Sequence, residues 1–525
     1  MNPREFGLPE GFRWRPKQAE VIKAALKAFR YGFRNVLIDA AVGFGKSLVN
    51  YCIAKRFRNA IYTTPQIALL DQIERDPLLD IAVVKGRDNY PCVVERGKTA
   101  ANGRCVRDRR FKCYEDCPYK IAKARALAHP IAAMSFAYLI VDRFLPDEYS
   151  FGNRELIIVD EADDLEGWAE EFGSFRFKVE QEFKDIDDVV VWAKAVLKNT
   201  RKRIDELESY PELTDEKVKE LDKLRKYEMK MIVFLNKVTE KPNNWVFELQ
   251  DGYLVVKPVN VGDILNELVW SRGKYRIASS GTIIDKEMFC KTTGLNPKET
   301  FIIKVGSIFP VERRPVYYYP VAKMTKEERV NGYDRIADVV AEIVRKHKGQ
   351  RGICHAHAYE IAREIYKRVS GLNGVRVAIH DEKSRRRVFK RFLDGEIDFL
   401  ISVGFNRGID LKYDLARYQI ITKIPYADLN DIRVRELLVN RKSWNWFRYQ
   451  AIKGLVQAYG RIVRAEDDWG VTYILDESFA HLFRYKSQFP SWFIEAVREV
   501  GSLEEVRLID GTLQLSRKEE SSKDI

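Results

Sequence analysis

The chain has no run of apolar residues near the roughly 18 needed to cross a bilayer. Its opening Met1-Asn2-Pro3-Arg4 carries no apolar signal region. Both absences predict a soluble, intracellular protein. Cysteine is scarce, 7 in 525 residues, which does not suggest a disulfide framework. Glutamine is also scarce, 11 residues against 32% charged ones, a mild mark of heat-stable proteins. Histidine numbers 6. His355 and His357 alternate as on one strand face, but no carboxylate or cysteine pattern completes a metal site with them, so they read as structural. Internal repeats, low-complexity tracts and a recognisable nuclease constellation are also lacking.

What is present points elsewhere. The 46% apolar content is ample for several cores, and the length suits two to four domains. Lys and Arg number 90 against 77 acidic residues, a formal charge of +13. That excess favours a polyanionic partner, nucleic acid ahead of membrane.

Three short apolar runs read as buried parallel strands: Val36-Leu37-Ile38, Leu156-Ile157-Ile158-Val159 and Phe399-Leu400-Ile401. Two of them lead directly into motifs, as expected where ligands bind at strand carboxyl ends. Residues 175–260 differ. Leu221, Leu224, Tyr227, Met231 and Phe234 recur at steps of three and four, and Ile186, Val190, Ala193 and Val196 predict a second helix before Pro211. A helical insertion between two halves of one α/β domain fits best; a coiled-coil arm for dimerisation is the competing view. Near Pro310 and Pro315 the chain crosses into a second α/β domain. The tail from Ser516 is polar and charged, the composition of a disordered segment.

Ala40-Ala41-Val42-Gly43-Phe44-Gly45-Lys46-Ser47 follows the first strand and should open a helix. Gly43 and Gly45 let backbone N–H groups approach phosphate oxygens; Lys46 would reach the β- and γ-phosphates, and Ser47 would bind Mg²⁺. Asp160 and Glu161, at the end of another strand, could hold Mg²⁺ through water and orient the attacking water. Downstream, Arg461 and Arg464 stand three apart, as on one helical face, in Gln457-Ala458-Tyr459-Gly460-Arg461-Ile462-Val463-Arg464. Such donors would stabilise charge on a transferred phosphoryl group when two domains close.

Between the phosphate loop and the acidic pair stand Cys92, Cys105, Cys113 and Cys117, separated by twelve, seven and three residues. By spacing alone this four-thiolate set is open between zinc and an iron–sulfur cluster. The neighbouring Arg104, Arg107, Arg109, Arg110 and Lys112 suit thiolates better than core thiols.

In this order the motifs resemble superfamily 2 helicases, and specifically the XPD/DinG family of iron–sulfur DNA helicases. The resemblance includes Arg15-Pro16-Lys17-Gln18, Thr64-Pro65-Gln66, Lys85-Gly86-Arg87-Asp88-Asn89-Tyr90-Pro91-Cys92, Cys117-Pro118-Tyr119, Ser279-Ser280-Gly281-Thr282 and Gly408-Ile409-Asp410. It departs from the family at Ala40, where the general loop has glycine, and at Arg407, where many members are acidic. It also departs at Asp160-Glu161-Ala162-Asp163, which spells DEAD rather than DEAH. That tetrad could suggest an RNA helicase, but such enzymes place His where Gln457 stands and Ser-Ala-Thr where Ser280-Gly281-Thr282 stands.

The resemblance implies two RecA-like parallel-sheet motor domains, the first carrying an iron–sulfur insert and a mainly helical arch-like insert. The implied boundaries are 1–84, 131–174 and 263–312 for motor domain 1, 85–130 for the cluster insert, 175–262 for the arch, 313–515 for motor domain 2 and 516–525 for the tail. It implies ATP, Mg²⁺ and a [4Fe–4S] cluster on Cys92, Cys105, Cys113 and Cys117, with Gln18 on the adenine side, Gln457 as sensor and Arg461 and Arg464 as arginine fingers. Asp410 would couple the nucleotide to the strand. Arg87 and Tyr90, beside the cluster, would touch DNA. The expected protein is a monomeric, DNA-associated 5′-to-3′ helicase with a role in DNA repair, acting on single-stranded and forked DNA. A translocase that remodels protein–DNA complexes without unwinding, and a scaffold subunit whose ATPase only switches binding, are the rivals.

Overall fold

The computed structural model describes residues 1–41, 43–108, 110–325, 328–381, 383–404 and 411–507. Two compact units emerge: Met1–Val305 with Ala427–Phe447, and Gly306–Tyr426 with the chain from Arg448. The segment 427–447, which the sequence reading grouped with the second motor domain, thus packs within the first unit.

The first unit begins with β1 (Asn35–Ala40), β2 (Ala60–Thr64), β3 (Ala82–Val83), β4 (Ile131–Ser135) and β5 (Arg154–Asp160). The chain then leaves the sheet to form β6 (Phe175–Lys178), β7 (Trp245–Gln250) and β8 (Tyr253–Pro258), and returns as β9 (Gly273–Ser280) and β10 (Thr300–Val305). The main sheet is parallel, in the order β10-β1-β9-β5-β2-β4-β3. Every residue of β1 is buried, as its unbroken apolar run requires when both faces are covered. Two cores result. One face packs Leu37, Ile157, Val159 and Ala278; the other packs Val36, Ile38, Tyr62 and Ile158 under the helix Lys46–Ala54.

The insertion contains both expected helices, Ile186–Ser209 and Asp215–Glu240. They cover each other through Ile204, Leu207, Val218 and Leu221, with Arg203–Glu220 and Arg201–Glu228 pairs alongside. It also contains an antiparallel sheet, β6-β8-β7, that helical periodicity did not reveal. Its signal was Asp251-Gly252 between alternating residues. Both adopt positive φ, at 52° and 75°, as a tight hairpin turn demands. The cysteine segment meets the joint between the two long helices: Lys98 and Arg107 pair with Asp215, and Leu213 N–H donates to the Arg107 carbonyl.

The second unit has β11 (Val316–Ala322), β12 (Gly352–His355), β13 (Val377–Ile379), β14 (Phe399–Ser402), β15 (Tyr418–Ile421), β16 (Val471–Asp476) and β17 (Val497–Glu499). They form a second parallel sheet in the order β13-β14-β12-β15-β16-β11-β17. The paired parallel-sheet α/β architecture expected from the sequence is therefore present.

Candidate functional site

The loop after β1 turns on Gly43 and Gly45, with φ near 82° and 81°. Gly45 has a second reason to lack a side chain: a Cβ there would lie 2.7 Å from Gln18 Nε2. Gln18 is buried with both ends of its amide engaged. Nε2 donates to the Phe44 carbonyl at 2.8 Å, and Oε1 accepts from Arg15 N–H at 3.0 Å. Arg15 also donates to the Gly43 carbonyl at 2.7 Å. The two residues hold the loop from outside while Phe44 anchors it in the core. The helix opens at Lys46, so Lys46 and Ser47 lie in its first turn, where free backbone N–H groups favour anions.

β9 lies between β1 and β5, so the loop and Asp160 emerge from the same edge of one sheet. Both Asp160 oxygens are held: Oδ2 accepts from Tyr62 Oη at 2.5 Å and Oδ1 from Glu161 N–H at 3.1 Å. Burial raises the Asp160 carboxyl above its ordinary value, against the pull of Lys46 and the Tyr62 bond. Glu161 sits in the left-handed region, φ 51° and ψ 46°. Such strain in a non-glycine residue is held in place by its surroundings and clusters at active sites. Ser280 Oγ hydrogen-bonds Asp163, tying the Ser279–Thr282 motif to the acidic tetrad.

Sequence reasoning missed Asp39 and Tyr62. Asp39, on the opposite face of β1, accepts from Ile283 N–H at 3.3 Å and Ile284 N–H at 3.2 Å, and burial raises its carboxyl. Ile284 has φ 63°, unusual for a β-branched residue, and Lys304 fixes its carbonyl at 2.6 Å. A charged residue inside an apolar strand was the available signal for Asp39. For Tyr62, an aromatic near a strand end, the sequence carries none.

In the second unit, Gln457 lies on the helix Trp444–Tyr459, but the helix stops before the arginines. The expectation that Arg461 and Arg464 share a helical face is corrected: both lie in the turn beyond it. Ile462 and Val463, between them, are drawn into the core beside Leu411. Asp468, fully buried, accepts the Arg464 and Tyr413 N–H groups and fixes that turn. Asp410, like Arg407, Gly408 and Ile409, lies outside the described residues.

The four cysteines carry no disulfide. The Cys113 thiol interacts with those of Cys105 and Cys117, and burial together with these neighbours pushes it up to about 12. Cys92 lies against Gly103, where a Cβ would come within 2.7 Å of its sulfur. Among the described residues no three His, Cys, Asp or Glu side chains form a ready metal cage. The donors available for a four-thiolate group are the Cys113 thiol with its neighbours Cys105 and Cys117, and Cys92 beside Gly103.

The two expected DNA contacts, Arg87 and Tyr90, differ in exposure. Arg87 is exposed, its guanidinium over the Tyr119 ring at 5.1 Å. Tyr90 is half-buried; its hydroxyl accepts from Lys85 N–H at 3.0 Å and its ring packs edge-on against Tyr119. Phe136 is core. Trp444 is exposed, whereas Trp446 is buried and donates to Glu166 at 2.8 Å. Val388 and Phe392 anchor the basic helix Arg385–Leu393, and His355 is buried against Gln419.

Two family models match the chain: a helicase C-terminal domain over residues 340–496, and the res subunit of type III restriction enzymes over residues 11–166. An ATP-dependent DNA helicase DinG of Photobacterium profundum is 25% identical over 248 residues, covering 43% of this chain and 35% of that protein. The regulator of telomere elongation helicase 1 of Bos taurus is 31% identical over 101 residues, covering 17% of this chain and 8% of that protein. The matched stretches thus span about a third or less of these relatives. A solved XPD helicase shares the fold with a TM-score of 0.62 and 17% identity, covering 93% of this chain and all of that one. No helix among the described residues is long and apolar enough to cross a membrane.

Proposed function

We propose that this chain, a member of the XPD/DinG type of superfamily 2 helicases, hydrolyses ATP to move along single-stranded DNA and part duplexes ahead of it. The observation that carries the reading is the phosphate loop beside Asp160, with Glu161 strained next to it. Gln18 and Arg15 hold the loop through its carbonyls, Lys46 meets the outer phosphates, and Glu161 orients water for in-line attack. Ser47 and Asp160 would hold magnesium, which would neutralise phosphate charge. Gln457, Arg461 and Arg464 are proposed to stabilise the charge that develops on the transferred group. Cys92, Cys105, Cys113 and Cys117 would hold a [4Fe–4S] cluster, which would pin a segment with little core of its own. Arg87 then presents charge to the phosphates at the point of strand separation. The direction, 5′ to 3′, follows from the family resemblance.

One preparation tests the whole reading: anaerobically purified protein, assayed on duplexes with 5′ or 3′ single-stranded tails. Unwinding of the 5′-tailed duplex, with Lys46→Ala losing ATPase but retaining DNA binding, is expected. Turnover surviving in Lys46→Ala sinks the ATP site. ATPase without strand displacement moves the activity to translocation, and preference for RNA moves the substrate.

A further inference from the structure

We propose that Tyr62 is a positioning residue for the divalent cation of this site, acting through Asp160. The inference rests on the reading of Lys46, Ser47 and Asp160 as an ATP site. Tyr62 occupies β2, two residues before its end, with its side chain on the face covered by the helix Lys46–Ala54. Its ring is fully buried, and a phenylalanine would fill the same space. The hydroxyl is therefore not explained by packing. A buried hydroxyl destabilises the fold unless it is bonded, and this one donates to Asp160 Oδ2 at 2.5 Å.

The geometry around that bond is specific. Glu161 N–H donates to the other oxygen, so both carboxylate oxygens are held. Each oxygen retains a further lone pair. Ser47, the other residue read as a cation ligand, flanks the Tyr62 hydroxyl together with Asn50. Asn50 lies one turn after Lys46 and is fully buried, and neither of its amide atoms has a well-formed hydrogen-bond partner among the described residues. Tyr62 thus bonds one of the two residues that would hold the cation and interacts with the other. Hydrogen bonds of this kind orient ligating carboxylates, and losing one typically weakens metal binding by about 10- to 100-fold.

The test is the full chain carrying Tyr62→Phe, titrated with Mn²⁺ in the presence of a non-hydrolysable ATP analogue and followed by electron paramagnetic resonance. Half-saturation is expected at a Mn²⁺ concentration about tenfold higher than for the parent. Binding of the analogue in EDTA is expected to stay at the parent's affinity, a split that a merely structural role would not produce. Mn²⁺ half-saturation equal to the parent's overturns the proposal. If Tyr62→Phe does not fold, 3-fluorotyrosine is placed at residue 62, a ring of nearly the same shape with a stronger donor. A shifted Mn²⁺ half-saturation, with the analogue's affinity in EDTA unchanged, then supports the role, and an unshifted half-saturation overturns it. Failure of the underlying ATP site looks different: the parent would take up no Mn²⁺ with the analogue, or Lys46→Ala would bind both as the parent does.

Discussion

A side chain at Gly103 would force Cys92 to move. A Cβ would sit 2.7 Å from that sulfur, closer than real contacts allow, and the Thr99 carbonyl stands 3.4 Å away on another side. If the four cysteines hold the proposed iron–sulfur cluster, Gly103→Ala is expected to displace Cys92 and lower the iron content severalfold, read as iron per protein and visible absorbance. Gly86→Ala, whose added Cβ meets only Asn89 at an ordinary 3.6 Å, is expected to keep the parent's iron. Equal iron in both variants would remove Cys92 from the proposed set of ligands. The cysteines themselves were legible from their spacing; the glycine that keeps the fourth in place was not. Gln18 is similar. Its place ahead of the loop marks it, but only the fold engages both ends of its amide with the loop and Arg15.

The helix Leu165–Gly173 begins just after the acidic tetrad and carries Glu166 and Glu170 to a buried guanidinium. Arg433 pairs with both, at 2.6 Å and 2.9 Å, and donates to the Val259 carbonyl at 3.0 Å. The Trp446 indole shares Glu166, and its ring lies 5.3 Å from the guanidinium. Lys257 bridges Glu170 and Asp431 at the edge of the same network. Removing one member of a buried pair leaves the other charge stranded, at a cost of about 3–5 kcal/mol. Arg433→Ala is expected to destabilise the first unit by that order in urea denaturation. Arg433→Ala with Glu166→Gln is expected to recover part of the loss, because less charge is left unpaired. A loss below about 1 kcal/mol in the single variant would mean the network is solvated. None of this was visible in sequence, where Arg433 and Glu166 stand far apart and each reads as an ordinary charged residue on a helix. The two long helices of the insertion were visible, because their period is written in consecutive residues.

Across the whole chain, buried histidines make stability depend on pH. His347 stacks on Tyr418 at 4.1 Å and bonds the Tyr473 hydroxyl at 2.8 Å; His355 lies buried on β12. Burial lowers both from 6.5 to about 4. The folded chain therefore keeps them neutral where the unfolded chain has already taken up protons. Their contribution is complete above about pH 6.5 and is lost as pH falls toward 4, by roughly 1.4 kcal/mol per histidine for each unit of pKa difference. Denaturant midpoints are expected to fall through that window, and His347→Gln is expected to flatten the fall. A midpoint constant between pH 7 and 4 would contradict it. The sequence by itself determined the α/β class, the phosphate loop, the acidic strand end, the two insert helices and the four cysteines. Each is written in neighbouring residues, as a period, a spacing or a turn. Only the tertiary structure decided that Tyr62 grips Asp160, that Asp39 holds Ile284, that Arg461 and Arg464 lie beyond their helix and that residues 427–447 pack with the first unit. These depend on which side chains meet across strands and between distant segments, and burial makes those meetings strong by removing the water that would otherwise compete for them.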